Sequence, residues 1–400
     1  MKLLNKRLIS IALLSSVLFA CSSDGDEPEE GAIAELTEIE QKFTPEVIWD
    51  AQIGDGVGHY FSRLAPAVAY NKVFVSSRAG DTVAFELESG KKVWELDFSN
   101  IDNARGFFDS KTSALISGGA VTGYNKVFWG SENGDVYAIN AESGELVWHT
   151  KVPGEVISTP ALDSNMLVVN TSSGVLIALD SETGEEKWKT DQSVPPLSLR
   201  GVSGVSITAG GAFVGLASGN VSVFIMENGQ QGWMSEIGEA TGATELQRIV
   251  DVDVTPVIWG DKVYAISSNG NLAALDLRTG RELWKRKYSS YRQLAVSGNR
   301  IYATDIQGHV YAIDRNSGSE LWSQLSLTNR GTTGAVIVGN YVVVGDGEGY
   351  LHWLDVTDGE IVARHQVDSS AIFSTPVVHE DLIYAYARSG ELEVIKTLSE

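Results

Sequence analysis

The stretch "NKVFWGSENGDVYAINAESGELVWHTKV" (Asn125 to Val152) recurs along the chain, and its internal order decides the fold. It holds an apolar strand, a Gly turn, an alternating strand that ends in Asn, a second turn at Ser-Gly, and a strand carrying Trp148. "NMLVVNTSSGVLIALDSETGEEKWKTD" (Asn165 to Asp191) and "DKVYAISSNGNLAALDLRTGRELWKRK" (Asp261 to Lys287) repeat it, with further copies from Asn71, Gly211, Asn299 and Asn340 and a truncated one from Asp381. A leading strand such as "STPAL" (Ser158 to Leu162) or "VTPVI" (Val254 to Ile258) precedes each copy. Short, evenly spaced antiparallel strands in groups of four, repeated about every 40 residues, describe a β-propeller.

The tryptophans number the blades. Trp49, Trp94, Trp148, Trp188, Trp233, Trp284 and Trp322 hold one position of the repeat, and Ala363 takes it in "DGEIVARHQ". That predicts an all-β, eight-bladed propeller of four-stranded antiparallel blades. After Ala363 the chain supplies "STPVV", "DLIYAYA" and "ELEVIKT", one strand short of a blade, and the missing strand stands at the other end as "PEVIWDAQI" (Pro45 to Ile53). The N-terminal strand is therefore expected to close the ring, removing two exposed sheet edges. A Trp ring buries roughly 150–250 Å² and has an N–H to place, which suits the wedge between blades. The gap at Ala363 calls for a neighbour such as Trp353.

Ahead of the repeats, "MKLLNKRLISIALLSSVLFA" (1–20) has the basic start and apolar run of a signal peptide. Leu18-Phe19-Ala20-Cys21 resembles a bacterial lipobox, which implies that Cys21, the single cysteine of the chain, becomes the lipid-bearing first residue. Ser22 in the next place favours the outer membrane in that pattern. Acidic residues dominate the segment that follows, so 21–44 is expected to be a flexible tether and 45–397 the propeller. Loss of Lys2, Lys6 and Arg7 takes the net charge from −22 to −25, which makes nucleic acid and anionic lipid poor partners.

Chemistry-bearing motifs are sparse. The histidines (His59, His149, His309, His352, His365 and His379) lack metal-ligand spacing, and "GDGEG" (Gly345 to Gly349) reads as a hairpin turn. No metal, cofactor or catalytic residue is expected. Departures from the repeat are more informative, because propellers carry function in their loops. Three insertions stand out: 99–118, "QSVPPLSLRGVSG" (Gln192 to Gly204) and "GEATGATELQRIVDVDVTP" (Gly238 to Pro256). The last two follow the Trp strands of successive blades and should emerge side by side. One offers Leu197, Leu199 and Arg200 after a stiff proline pair; the other offers Glu245, Arg248, Asp251 and Asp253. On the residues alone two readings stand. These side chains form a docking hot spot, or the leucines tuck under their loop while the aspartates support it.

The "Y-A-I/L-D-x-x-T/S-G-x-x-x-W" core resembles the repeat of pyrroloquinoline-quinone-dependent dehydrogenases. With the lipobox, "GEGYLHWLDVTDG" (Gly347 to Gly359), "GNLAALDLRTG" (Gly270 to Gly280) and "PLSLRG" (Pro196 to Gly201), residues 45–397 more closely resemble the BamB family, propeller lipoproteins of the outer-membrane β-barrel assembly machinery. That resemblance implies a non-enzymatic, periplasm-facing subunit, lipid-anchored to the outer membrane. It would bind the periplasmic domains of BamA through Leu197, Leu199, Arg200, Asp251 and Asp253, and assist delivery, folding and insertion of β-barrel proteins. Whether the aspartates touch the partner or shape the loop stays open. So does the choice between organising BamA and receiving unfolded substrate strands by edge pairing. The alternative is a quinone-cofactor or solute-binding propeller, disfavoured because a single cysteine excludes the vicinal disulfide that the dehydrogenase resemblance implies.

Overall fold

The computed structural model describes residues 31–101, 112–241, 243, 244 and 246–397. Two compact units divide the chain. Of the unit 1–32 only Gly31 and Ala32 are described, Gly31 lying in a turn with φ +93°. The unit 33–400 carries eight four-stranded antiparallel sheets. In chain order they span 67–97, 116–151, 161–191, 205–236, 257–286, 295–324, 336–366 and 377–396, here blades one to eight. Blade eight takes its fourth strand from Glu46–Gln52, which pairs with Glu391–Lys396 from Glu46 opposite Lys396 to Gln52 opposite Glu391. Ring closure by the N-terminal strand is thus as the repeats require.

One contact explains both the Gly and the Trp of the repeat. Each indole N–H reaches the next blade and donates to a backbone carbonyl there: Trp94 to Ala141, Trp148 to Ser181, Trp188 to Met226 and Trp322 to Val356, at 2.7–3.1 Å. Trp49 does the same to Leu87, across the closure. The six-membered ring then lies where the turn glycine of that next blade would carry a side chain. A Cβ on Gly184 would fall 2.7 Å from the Trp148 ring and one on Gly359 2.5 Å from that of Trp322, and both glycines hold positive φ. The "T/S-G" of one blade is therefore read by the Trp of the preceding one.

Within a blade the Trp stands opposite a small residue of the third strand, as Trp148 does with Ala138, Trp188 with Ala178 and Trp284 with Ala274. Blade seven exchanges the two: Trp353 occupies the third strand and Ala363 the fourth, in register. Trp353 is fully buried and donates to Thr397 Oγ1, directly after the last strand of blade eight, so total volume and the inter-blade bond survive the swap. Between blades the apolar faces interlock, for example Val136, Trp148 and Val156 with Leu167, Val169 and Leu179.

The acidic segment expected to be a free tether as far as residue 44 departs from that expectation. From Ile33 onward it lies against blades six and seven. Ala34 N–H donates to Thr328 O and Lys42 N–H to Val362 O, at 3.0 and 2.8 Å. The guanidinia of Arg330 and Arg364 donate to the carbonyls of Ala34 and Thr37, and Phe43 packs 4.9 Å from Tyr341. Composition alone gave this strap the signature of disorder, but its backbone amides and carbonyls make most of its polar contacts, with one side-chain pair, Lys42 to Glu360 at 3.1 Å, beside them.

Candidate functional site

Strand alternation puts two kinds of connection on one face of the ring. These are the turns between second and third strands, and the links from each fourth strand to the next blade. The insertions 192–204 and 238–256 are both links, after Glu186–Asp191 and Gln231–Glu236, so they share that face and adjoin.

They are bonded together along their length. The Leu199 amide donates to Asp251 Oδ2, Ser203 Oγ to Val254 O, and Ser206 Oγ to Pro256 O. The Asp253 carboxylate packs so closely over Gly201 that a Cβ there would lie 2.0 Å from Oδ2. Asp251 and Asp253 are 0% and 3% exposed, whereas Leu197 and Leu199 are 47% and 37% exposed. This settles the geometry of the five expected residues: two leucines and an arginine face solvent, and the aspartates support them from beneath. Of the two roles left open for the aspartates, contact or support, their position beneath the loop and the bond from the Leu199 amide are the arrangement that support requires. Of the same insertion Leu246–Arg248 form a 3-10 turn with Arg248 exposed, while Glu245 lies outside the described residues, as do 102–111 of the first insertion.

Burial governs the titration of this pair. Desolvation pushes the Asp253 carboxyl up to about 7, with Arg63 opposing and Asp251 adding to the effect. It pushes Asp251 up to about 6, the Leu199 amide opposing. The other carboxylate oxygen of Asp251 is buried without a hydrogen-bond partner, consistent with a group held partly neutral.

Arg200 is held from the side. Its Nη2 lies 2.9 Å from Glu132 Oε2 and 3.7 Å from a Glu155 oxygen. Glu132 is also gripped by Arg78, whose Nε and Nη2 donate to its two oxygens at 2.8 and 2.9 Å. Burial works against ionisation of Glu132, but the two guanidinia outweigh it and hold its carboxyl below the usual range. Tyr60 caps the group, its ring 3.7 Å from the Arg78 guanidinium carbon. Behind the loop a cavity of about 240 Å³ is lined by Glu155, Asn170, Val194, Leu199, Arg200 and Asp253. Arg78, Glu132 and Glu155 escaped the sequence reading. A signal existed: "SRAGD" (Ser77 to Asp81) and "SENGD" (Ser131 to Asp135) put charge where the equivalent turn "SSNG" (Ser267 to Gly270) has serine.

"GDGEG" is the turn between Tyr341–Gly345 and Tyr350–Asp355, as expected. Its Asp346 carboxylate accepts from Arg330 Nε at 2.7 Å and pairs with His352 Nε2 at 2.9 Å.

A family model described as outer membrane protein assembly factor BamB matches residues 102–324 and 325–399. The BamB of Shewanella oneidensis is 44% identical over 392 residues, covering 98% of both chains. The chain belongs to the BamB family. Vibrio cholerae and Escherichia coli BamB are 42% and 41% identical, each over at least 97% of both chains. The crystal structure of Moraxella catarrhalis BamB superposes with a TM-score of 0.78 at 24% identity, over 88% of this chain and all of that one. A quinohemoprotein alcohol dehydrogenase from Comamonas testosteroni shares the fold, with a TM-score of 0.69 at 14% identity, over 88% of this chain and 76% of that one.

Proposed function

We propose that this chain is a non-enzymatic, periplasm-facing subunit of the outer-membrane protein assembly machinery that docks on the periplasmic domains of BamA through the 192–204 link. Cleavage after residue 20 and lipidation of Cys21 would anchor it to the outer membrane, with 45–397 as the working propeller. Membership of the BamB family supports the assembly role.

One observation carries the docking surface: Leu197, Leu199 and Arg200 are exposed on a loop whose backbone is locked by a buried carboxylate. Apolar anchors beside a guanidinium make a hot spot, and a loop already fixed in shape loses little ordering entropy on binding. The aspartates act through the loop and not by touching the partner.

Site-specific photo-crosslinking from Leu197 in cells tests this without presuming the partner. A crosslink to BamA is expected, and should vanish when Arg200→Ala is combined with Leu199→Glu. An adduct with another protein, or none from a folded variant, overturns the assignment.

A further inference from the structure

The strap over blade seven turns its apolar side chains inward. Ala34, Leu36, Ile39 and Phe43 are half-buried, whereas Glu35, Glu38 and Glu40 are exposed. Ile39 packs against the apolar cluster of Tyr302, Trp322 and Ile361, between blades six and seven. Phe43 meets Trp353 edge-on at 6.2 Å. The strand beneath shows the effect: Ile361 and Val362 are buried, while the matching residues of blades one and three, Lys92–Val93 and Glu186–Lys187, are exposed. No residue of 33–44 is itself fully buried, so the strap is a segment of low local stability that leans on its polar anchors.

One histidine sets the strongest of those anchors. His352 is fully buried on the third strand of blade seven. Its Nδ1 accepts from Arg364 Nε at 3.2 Å, and its Nε2 lies 2.9 Å from Asp346 Oδ2, which also accepts from Arg330 Nε. Arg364 Nη1 donates to Thr37 O at 3.2 Å and Arg330 Nη1 to Ala34 O at 2.8 Å. A chain of bonds therefore leaves the strap at Thr37, passes through Arg364, His352, Asp346 and Arg330, and returns to it at Ala34. A guanidinium only donates and a carboxylate only accepts, so the imidazole between them is neutral, with its hydrogen on Nε2.

A proton on Nδ1 breaks this chain. It would meet the Arg364 Nε–H donor to donor, with like charges in contact. Arg330 and Asp346 are buried, whereas Arg364 is half-buried and is the member able to swing away, taking with it the bond to Thr37. The remaining groups around the imidazole supply no new counter-charge. Glu348 is already paired with Arg330, the Tyr350 ring stands 6.3 Å away on the same strand, and apolar Val344 lies opposite on the second strand. In blade six Asp305 is paired with His309, whose other nitrogen meets Thr328 Oγ1. Burial pulls His352 below the usual histidine value; Asp346 opposes this, and Arg364 and Arg330 reinforce it. A histidine held neutral in one state and relaxed in another stabilises the first fully above about pH 6.5, and progressively less as pH falls below that.

We propose that residues 33–44 are an acid-released latch, set by the Asp346–His352–Arg364 chain, that leaves blade seven when His352 takes a proton. Release uncovers the edge of Ile361–Gln366. It also adds the twelve residues 33–44, about 40 Å when extended, to the span between Cys21 and the ring. That second consequence, though not the latch, rests on the anchoring of Cys21 proposed above.

Electron paramagnetic resonance of a nitroxide on Glu38→Cys, in the full chain carrying Cys21→Ser so that one thiol remains, tests the latch. The label is expected to be restricted at about pH 7.5 and to gain a mobile component, reversibly, as pH falls from about 6.5 to about 5. Tryptophan fluorescence should stay that of the folded ring throughout. His352→Gln, whose amide donates to Asp346 and accepts from Arg364 without taking a proton, should keep the label restricted over the same range. Ile39→Ser, a change in the strap alone, should move release to higher pH by about half a unit or more, and it carries the test if His352→Gln does not fold. A label that stays restricted to about pH 5, one already mobile at about pH 7.5, equal release in folded His352→Gln, or unchanged release in Ile39→Ser would each overturn the latch. So would mobility that appears only together with unfolding of the ring. The label reads the strap without lipid or BamA, so failure here is distinct from failure of anchoring or docking.

Discussion

Asp251 Oδ2 accepts the amide hydrogen of Leu199, so the exposed leucine is aimed by a carboxylate that solvent does not reach. The bond joins two links that leave different blades, and the surface they present depends on it.

A carboxyl whose folded-state value is raised contributes stability that is complete below its unfolded value, near 4, and lost as pH rises through the folded one. For Asp251 and Asp253, at about 6 and about 7, the loss should fall between pH 4 and 8. Urea denaturation across that window is expected to show the parent weakening and Asp253→Asn weakening less. Asp251→Asn, which keeps an acceptor for Leu199, should do likewise while preserving the Leu197 crosslink.

Gly201→Ala places a methyl group against the Asp253 carboxylate, 2.0 Å from Oδ2. Overpacking of this kind costs about 1–3 kcal/mol. Thermal melts should register it, and the Leu197 crosslink to BamA should fall although no exposed side chain has changed.

Glu132 serves Arg78 and Arg200 together, and its side chain is 8% exposed against 45% for Arg200. Exposed pairs contribute about 0–1 kcal/mol, whereas a buried group stripped of its partner loses about 1–3 kcal/mol. Glu132→Ala should therefore lower stability more than Arg200→Ala, and Arg200→Ala should harm docking more than folding. Because the Glu132 carboxyl is held low, its contribution is present above about pH 4.5 and should disappear as pH falls below that. Parallel urea melts and crosslinking yields separate the two variants.

Trp148→Phe keeps a ring in the wedge but leaves the Ser181 carbonyl without its donor. A loss of about 1–3 kcal/mol is expected for a buried acceptor left unpaired. Ala363→Trp, which restores the repeat consensus, should also destabilise, because Trp353 already fills the space opposite. Ala363→Trp with Trp353→Ala should recover part of the loss, a pattern that calorimetric melts would reveal.

The architecture was legible because each blade repeats the same packing problem. Trp spacing marks fourth strands, and the surplus strand around Trp49 marks the closure. Even the exception at Ala363 pointed to Trp353, since a wedge of fixed volume must be filled from one strand or the other. Burial of Asp251 and Asp253 was not legible: a carboxylate in a loop reads as solvated unless the covering chain is known, and that chain lies some 50 residues away, at Leu199 and Gly201. The strap from Ile33 was hidden for a related reason, most of its polar bonds being made by main-chain amides and oxygens that carry no sequence signature.

The pairing of Glu46–Gln52 with Glu391–Lys396 also sets an order of events. A chain emerging N-terminus first exposes one edge strand from the outset and obtains its mate only when the final strand arrives. Closing so long a loop costs on the order of 5 kcal/mol in chain entropy, recovered in one step when the sheet zips. Products truncated before Glu391 lack the strand that Glu46–Gln52 pairs with. Without it the Glu46–Gln52 edge is left uncovered, and an uncovered edge invites pairing with the wrong chain.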